Sequence, residues 1–142
     1  MKLKNAKWIT DAFINMAVDK SRFPDDVLDV YRRNALRPDG LKCMVNYYRA
    51  LVRGGGALRQ VKQGFPKITT PTLMIWGEED AALEKGTTFG TEEYVEDFTI
   101  RYLPNVSHWV QQEAPETVNA MIDAWLSGNP VPQAGSREEQ VP

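Results

Sequence analysis

The run Thr72-Leu73-Met74-Ile75-Trp76, stopped by Gly77 and followed at once by Glu78-Glu79-Asp80, constrains this chain more than any other stretch. It has strand length and is apolar on both faces, as expected of an interior strand covered by helices on each side. A second strand is expected over Phe98-Thr99-Ile100-Arg101-Tyr102-Leu103, where apolar and polar residues alternate, with Pro104-Asn105 closing it. A short helix is expected over Glu92 to Asp97. Pro115, with Glu116 in its first turn, opens another whose buried face is Val118, Met121, Ile122 and Trp125, ending near Ser127-Gly128. Strand, helix, strand, helix is an α/β unit with parallel strands. Two such strands do not make a covered sheet, so further strands are expected from elsewhere.

The residues before Pro66 have a different character. Lys7 to Asp19 mixes apolar and polar residues without a clean period and is expected to wrap another surface. Ser21-Arg22-Phe23-Pro24-Asp25-Asp26 reads as a helix start, with Val27, Val30, Tyr31 and Asn34 or Ala35 following at three-to-four spacing. Arg37-Pro38-Asp39-Gly40 is turn chemistry, and Asp39 is a good N-cap for a helix from Leu41 to about Val52. Leu41, Met44, Val45, Tyr48, Leu51 and Val52 form one apolar stripe on that helix. Gly54-Gly55-Gly56 ends it and suits a boundary. The expected organisation is therefore a helical segment at 1–56, an α/β segment at 57–128 and a disordered tail at 129–142, where prolines, glutamines and charge leave little apolar content.

Composition narrows the function classes. A net charge of −2 gives no nucleic-acid footprint or basic membrane surface. No apolar run approaches the about 18 residues of a membrane span, and Met1-Lys2-Leu3-Lys4 leads into no signal-like core, so the expected location is cytoplasmic. One cysteine, Cys43, and one histidine, His108, exclude an internal disulfide and a closed Cys/His zinc site. Cys43 is expected to be a small buried or partly buried side chain on its helix.

Asp80 lies just past the end of the first strand and His108 just past the second, 28 residues later, about one strand-to-strand crossover. Functional groups of open α/β sheets gather at that edge. A carboxylate there fixes the imidazole tautomer and stabilises its charged form. The alternative is that Asp80 caps the next helix and His108 packs in a loop. Glu78 and Glu79 are competing acids that suit a solvated turn.

PTLMIWGEEDAAL followed by RYLPNVSHWVQQEAPETVNAMIDAWL resembles the last part of α/β-hydrolase fold enzymes, specifically epoxide hydrolases, from about Ile68 to Leu126. The resemblance implies that Asp80 matches the charge-relay acid and His108 the base that activates water. FPDDVLDVYRRNALRPDGLKCMVNYYRALVR is similar to the later part of that family's helical cap. There the tyrosine before arginine in an NYYR-like motif donates a hydrogen bond to the epoxide oxygen. Tyr48 holds that place beside Tyr47, although its position on the apolar stripe also suits plain packing.

The family's oxyanion loop, its strand-turn-helix elbow with a nucleophilic aspartate and its first cap tyrosine have no counterpart here, and no GxDxG or GxSxG pattern occurs. The resemblance therefore implies the C-terminal half of an α/β-hydrolase fold, entered in mid-cap and inactive alone. Its substrate would be a small epoxide, opened to a vicinal diol with no metal or organic cofactor. Its partner would be an N-terminal half or a second copy. The alternatives are a haloalkane dehalogenase or esterase piece, or a non-catalytic binding or dimerising module.

Overall fold

The computed structural model describes residues 6–134. Helices α1 (Lys7–Met16), α2 (Asp25–Ala35), α3 (Gly40–Arg53) and α4 (Gly56–Gln63) precede strand β1 (Thr72–Gly77). Strand β2 (Phe98–Leu103) and helices α5 (Val110–Glu113) and α6 (Pro115–Leu126) follow. The strands run parallel in register, from Thr72 opposite Phe98 to Gly77 opposite Leu103. These are the two expected strands, with the expected orientation.

Pairing places Leu73, Ile75, Thr99, Arg101 and Leu103 on one face of the sheet, because side chains alternate along each strand. Helix α6 covers this face with Val118, Met121 and Trp125, which cluster with Leu73, Ile75 and Leu103. Burying Met121 and Leu103 contributes about 1.5–3 kcal/mol each. Pro115 in its first turn and Glu116 beside it start α6 where the sequence expects. The covering of β1 on both sides is not seen. Among the described residues the sheet has two strands, and β1 is half-buried along all but its last residue.

The connection from β1 to β2 differs from the expected helix. It has two 3₁₀ turns, Lys85–Thr88 and Thr91–Glu93, after which Val95 bridges to Ile68. The Tyr94 carbonyl and the Glu96 N–H are instead taken by the Ile68 N–H and carbonyl, which removes them from helical bonding.

The helical segment has its own core. Ala6, Ile9, Phe13 and Ala17 recur at three-to-four spacing and are buried with Phe23 and Ala35. Lys7–Met16 is thus an amphipathic helix, not an irregular wrap, because Thr10 sits in its buried stripe with its hydroxyl bonded to the Lys7 carbonyl. Phe13 stacks against Tyr31 of α2 at 4.3 Å between ring centroids. Asp25 and Asp26 lie in the first turn of α2, with Arg32 and Arg33 in its last turn, matching the helix dipole at both ends. Asp39 does not cap α3 through its side chain. It adopts φ 61°; its backbone carbonyl accepts the Cys43 N–H, while its carboxylate takes the Lys42 ammonium at 3.5 Å.

Helix α3 buries none of its side chains, and α4 packs against it. Cys43 is accordingly an exposed free thiol, contrary to the expected burial, because nothing in the described chain lies over its turn of α3. The expected disorder of the tail also fails over residues 129–134. Val131 is buried in the α6 cluster, and the Arg101 guanidinium donates to the carbonyls of Val131 and Pro132 at 2.7–3.1 Å. A single apolar residue and two free carbonyls suffice to dock it. Residues 135–142 of the expected tail lie outside the described residues.

Candidate active site

Asp80 and His108 meet beyond the C-terminal ends of the two strands. Backbone geometry brings them together: the Glu78 N–H donates to the Leu103 carbonyl and the Glu79 N–H to the Val106 carbonyl, both at 3.0 Å. The loop leaving β1 is thereby laced to the loop leaving β2. The lacing requires a glycine at the strand end, since a Cβ on Gly77 would fall 2.2 Å from the Ser107 carbonyl oxygen and 2.3 Å from that of Val106. Asn105, at φ 57°, turns the second loop back, a left-handed conformation that asparagine tolerates.

His108 Nδ1 lies 2.8 Å from Asp80 Oδ2. The other carboxylate oxygen, Oδ1, accepts the backbone N–H groups of Ala82 and Leu83 at 2.9 Å each. The expected alternative, a cap on the next helix, is not seen, because residues 81–83 form a bend and the next 3₁₀ turn starts at Lys85. One oxygen closes the turn that follows β1, while the other faces the imidazole. Asp80 is only 6% exposed. Burial pushes its carboxyl upward, but the Leu83 N–H, the His108 ring and the Ala82 N–H outweigh that and hold it below the usual carboxylate range. An ionised Asp80 places the imidazole proton on Nδ1 and leaves Nε2 with a lone pair, the arrangement of a general base. The His108 side chain keeps 31% of its surface open. Glu78, the competing acid, is occupied by Lys85 instead, and Glu79 is exposed.

Tyr48 is not brought to this pair. It is 69% exposed on α3, edge to face with Tyr47 at 5.8 Å, and Tyr47 is 78% exposed. The ring beside His108 is Trp109, at 4.8 Å, which packs in turn on Phe13 at 4.3 Å. The helical segment therefore docks directly on the histidine loop. A surface hollow of about 570 Å³, lined by Pro71, Asp97, Thr99, Trp125 and Asn129, opens at the opposite end of the strands and holds neither Asp80 nor His108.

Glu113 escaped the sequence reading. It is buried at the end of α5 and accepts four hydrogen bonds, from the N–H groups of Val18, Asp19 and Ser107 and from the Ser107 hydroxyl. The available signal was an acid set between Val110 and Ala114-Pro115, five residues after the histidine.

A parallel strand pair with a helix across one face, and a carboxylate–imidazole pair at its C-terminal edge, fit the C-terminal part of an α/β-hydrolase fold. The wild-type protein Cfl2 from Burkholderia cenocepacia, a solved structure 20% identical, superposes with a TM-score of 0.72 over 86% of this chain and 40% of its own. No family model matches. Curated relatives carry the finer assignment. Mouse epoxide hydrolase 4 is 36% identical over 100 residues, covering 70% of this chain. Epoxide hydrolase 2 of Caenorhabditis elegans is 28% identical over 109 residues, covering 77%. The AB hydrolase superfamily protein YfhM of Bacillus subtilis is 29% identical over 116 residues, covering 82%. These similarities support assigning the chain to the epoxide hydrolase family of α/β-hydrolases. It spans 30%, 26% and 39% of the lengths of the worm, mouse and Bacillus relatives. Among the described residues no helix is long and apolar enough to cross a membrane.

Proposed function

We propose that this chain supplies the water-activating half of an epoxide hydrolase site, acting in the cytoplasm on a small epoxide. The observation that carries the reading is the 2.8 Å contact between His108 Nδ1 and the buried Asp80 carboxylate, in a chain whose curated relatives include epoxide hydrolases. In the complete reaction an aspartate carboxylate attacks one ring carbon, the C–O bond breaks, and a tyrosine O–H protonates the departing alkoxide. Tyr48 is the proposed donor. Water then attacks the ester carbonyl as His108 Nε2 takes its proton, with Asp80 stabilising the imidazolium. The diol oxygen leaves with the proton returned by the imidazolium, and the second proton of the water restores the tyrosine hydroxyl as the aspartate returns to its carboxylate. No metal or organic cofactor enters. The aspartate must come from an elbow outside this sequence, on an N-terminal half.

The test joins residues 1–142 to the aspartate-bearing half of an epoxide hydrolase relative and measures diol formation from an aryl epoxide. The joined protein turns over. His108→Ala accumulates the ester and loses roughly 10²–10⁴-fold in steady-state rate. The chain by itself gives no more diol than its own His108→Ala variant. Turnover of the joined protein that survives His108→Ala refutes the role of the base.

The exposed stripe of α3 favours a second reading, a non-catalytic module that binds through this face. Tyr47, Tyr48, Leu51 and Val52 all stand more than half exposed on one short helix. A monomer at all concentrations in analytical ultracentrifugation, alone and with the aspartate-bearing half, would remove it.

A further inference from the structure

We propose that Glu113 is a positioning residue that sets the orientation of the His108 ring, by tying the histidine loop to the turn that follows α1. The inference rests on the reading of His108 as the base, and goes beyond it by assigning how the base is held. Glu113 is 5% exposed, and its two oxygens divide the work. Oε1 accepts the N–H of Ser107 at 3.2 Å and also the Ser107 hydroxyl. Oε2 accepts the N–H groups of Val18 and Asp19 at 2.9 Å each. Ser107 is fully buried and immediately precedes His108. On the other side of His108, Trp109 is pinned by Phe13 of α1, and its carbonyl accepts the N–H groups of Gln112 and Glu113. The ring thus stands between Trp109, which packs directly on the helical segment, and Ser107, which reaches that segment only through Glu113.

The chemistry of this node is specific to a carboxylate. Four donors converge on two oxygens, and a carboxylate has acceptor capacity for all of them. A glutamine of the same shape accepts on one oxygen only, and turns its amide hydrogens against N–H donors. A role limited to filling space predicts that glutamine is tolerated. A positioning role predicts that it is not.

His108 is the only histidine, so its ring nitrogens give unambiguous signals in a long-range proton–nitrogen correlation spectrum. In the wild-type chain, above the imidazole titration, the expected result is a single tautomer with the proton on Nδ1. In Glu113→Gln the expected result is a mixture weighted toward the Nε2–H form that solvated imidazole prefers. Exchange of the Val18, Asp19 and Ser107 amides should accelerate by about tenfold or more. Val95→Ala is the control, a core truncation at the far end of the strands that lowers stability but should leave the tautomer unchanged. Glu113→Gln with the wild-type tautomer overturns the proposal, as does an equal tautomer change in Val95→Ala. A mixture already present in the wild-type chain overturns the Asp80–His108 pairing itself. That failure is distinct from failure of the Glu113 role alone.

Discussion

Replacing Gly77 with alanine should damage the candidate site and the stability of the chain together, and the size of the effect follows from one contact. The added Cβ would sit 2.2 Å from the Ser107 carbonyl oxygen, against about 3.4 Å for ordinary contact, so one backbone must retreat by about 1.2 Å. Neither atom is the end of a flexible side chain, so no rotamer relieves the clash. A retreat of that size stretches the 3.0 Å bonds from Glu78 and Glu79 beyond hydrogen-bond range. Overpacking costs roughly 1–3 kcal/mol, and two lost backbone bonds add roughly 0.5–1.5 kcal/mol each. Restricting the unfolded chain returns roughly 0.4–1 kcal/mol. The steric term wins, giving a net loss of roughly 1–6 kcal/mol and a fall in melting temperature of roughly 3–20 °C. Thermal denaturation followed by circular dichroism measures it. The His108 ring signals should depart from a single Nδ1–H tautomer in the same variant. A Gly77→Ala chain that melts within about 2 °C of wild type would refute the close approach of the two loops. Gly77 is not in the left-handed region, so the argument rests on space alone.

Acid titration should read out Asp80 separately. Its folded carboxyl lies below the usual value, so the stability it contributes is fully present above the unfolded value of about 3.9 and is lost as pH falls through the folded one. Asp80→Asn should therefore melt lower than wild type near neutral pH, with the gap narrowing below about pH 4; a gap that stays constant or widens there would count against the pairing. At the other end of the sheet, Arg101→Met removes the donors to Val131 and Pro132 while keeping most of the aliphatic stem. Limited proteolysis with a broad-specificity protease should then cut residues 129–134 faster than in the parent, and equal rates would refute the docking of that segment.

What the sequence made legible tracks how local the cause is. The strand pair was readable because two six-residue apolar or alternating runs, each closed by turn residues, leave few other options, and the observed bounds of β2 match the expected ones. Helices α2, α3 and α6 carry strong periodicity with starts marked by Pro24, Gly40 and Pro115. Helix α1 was not legible, since Thr10 interrupts its apolar stripe and is accommodated only by bonding its own helix backbone. Helix α4 starts on the last of three glycines, and its apolar residues Leu58 and Val61 stay exposed. The Asp80–His108 pair combined two local signals, a strand end and a loop histidine, with a family resemblance.

Glu113 and Tyr48 mark the two limits of that reading. The donors that define Glu113 lie on Val18 and Asp19, up to 95 residues away, and are backbone groups that any residue type could have offered. Sequence shows an acid near an apolar segment, but only the fold shows that four donors surround it. Tyr48 fails in the opposite way. Its helix and its stripe are legible, yet burial of a stripe depends on a surface to receive it, and among the described residues α3 packs mainly on α4 and the edge of α2. The two residues also answer to different parts of the fold. Glu113 is satisfied within these 142 residues, so its effect on His108 is open to measurement in this chain as it stands. The proposed work of Tyr48 on an epoxide oxygen requires α3 to close over the proposed site, and α3 buries none of its side chains here. A substitution such as Tyr48→Phe should therefore leave the His108 ring signals untouched, and become visible only when an aspartate-bearing half is present.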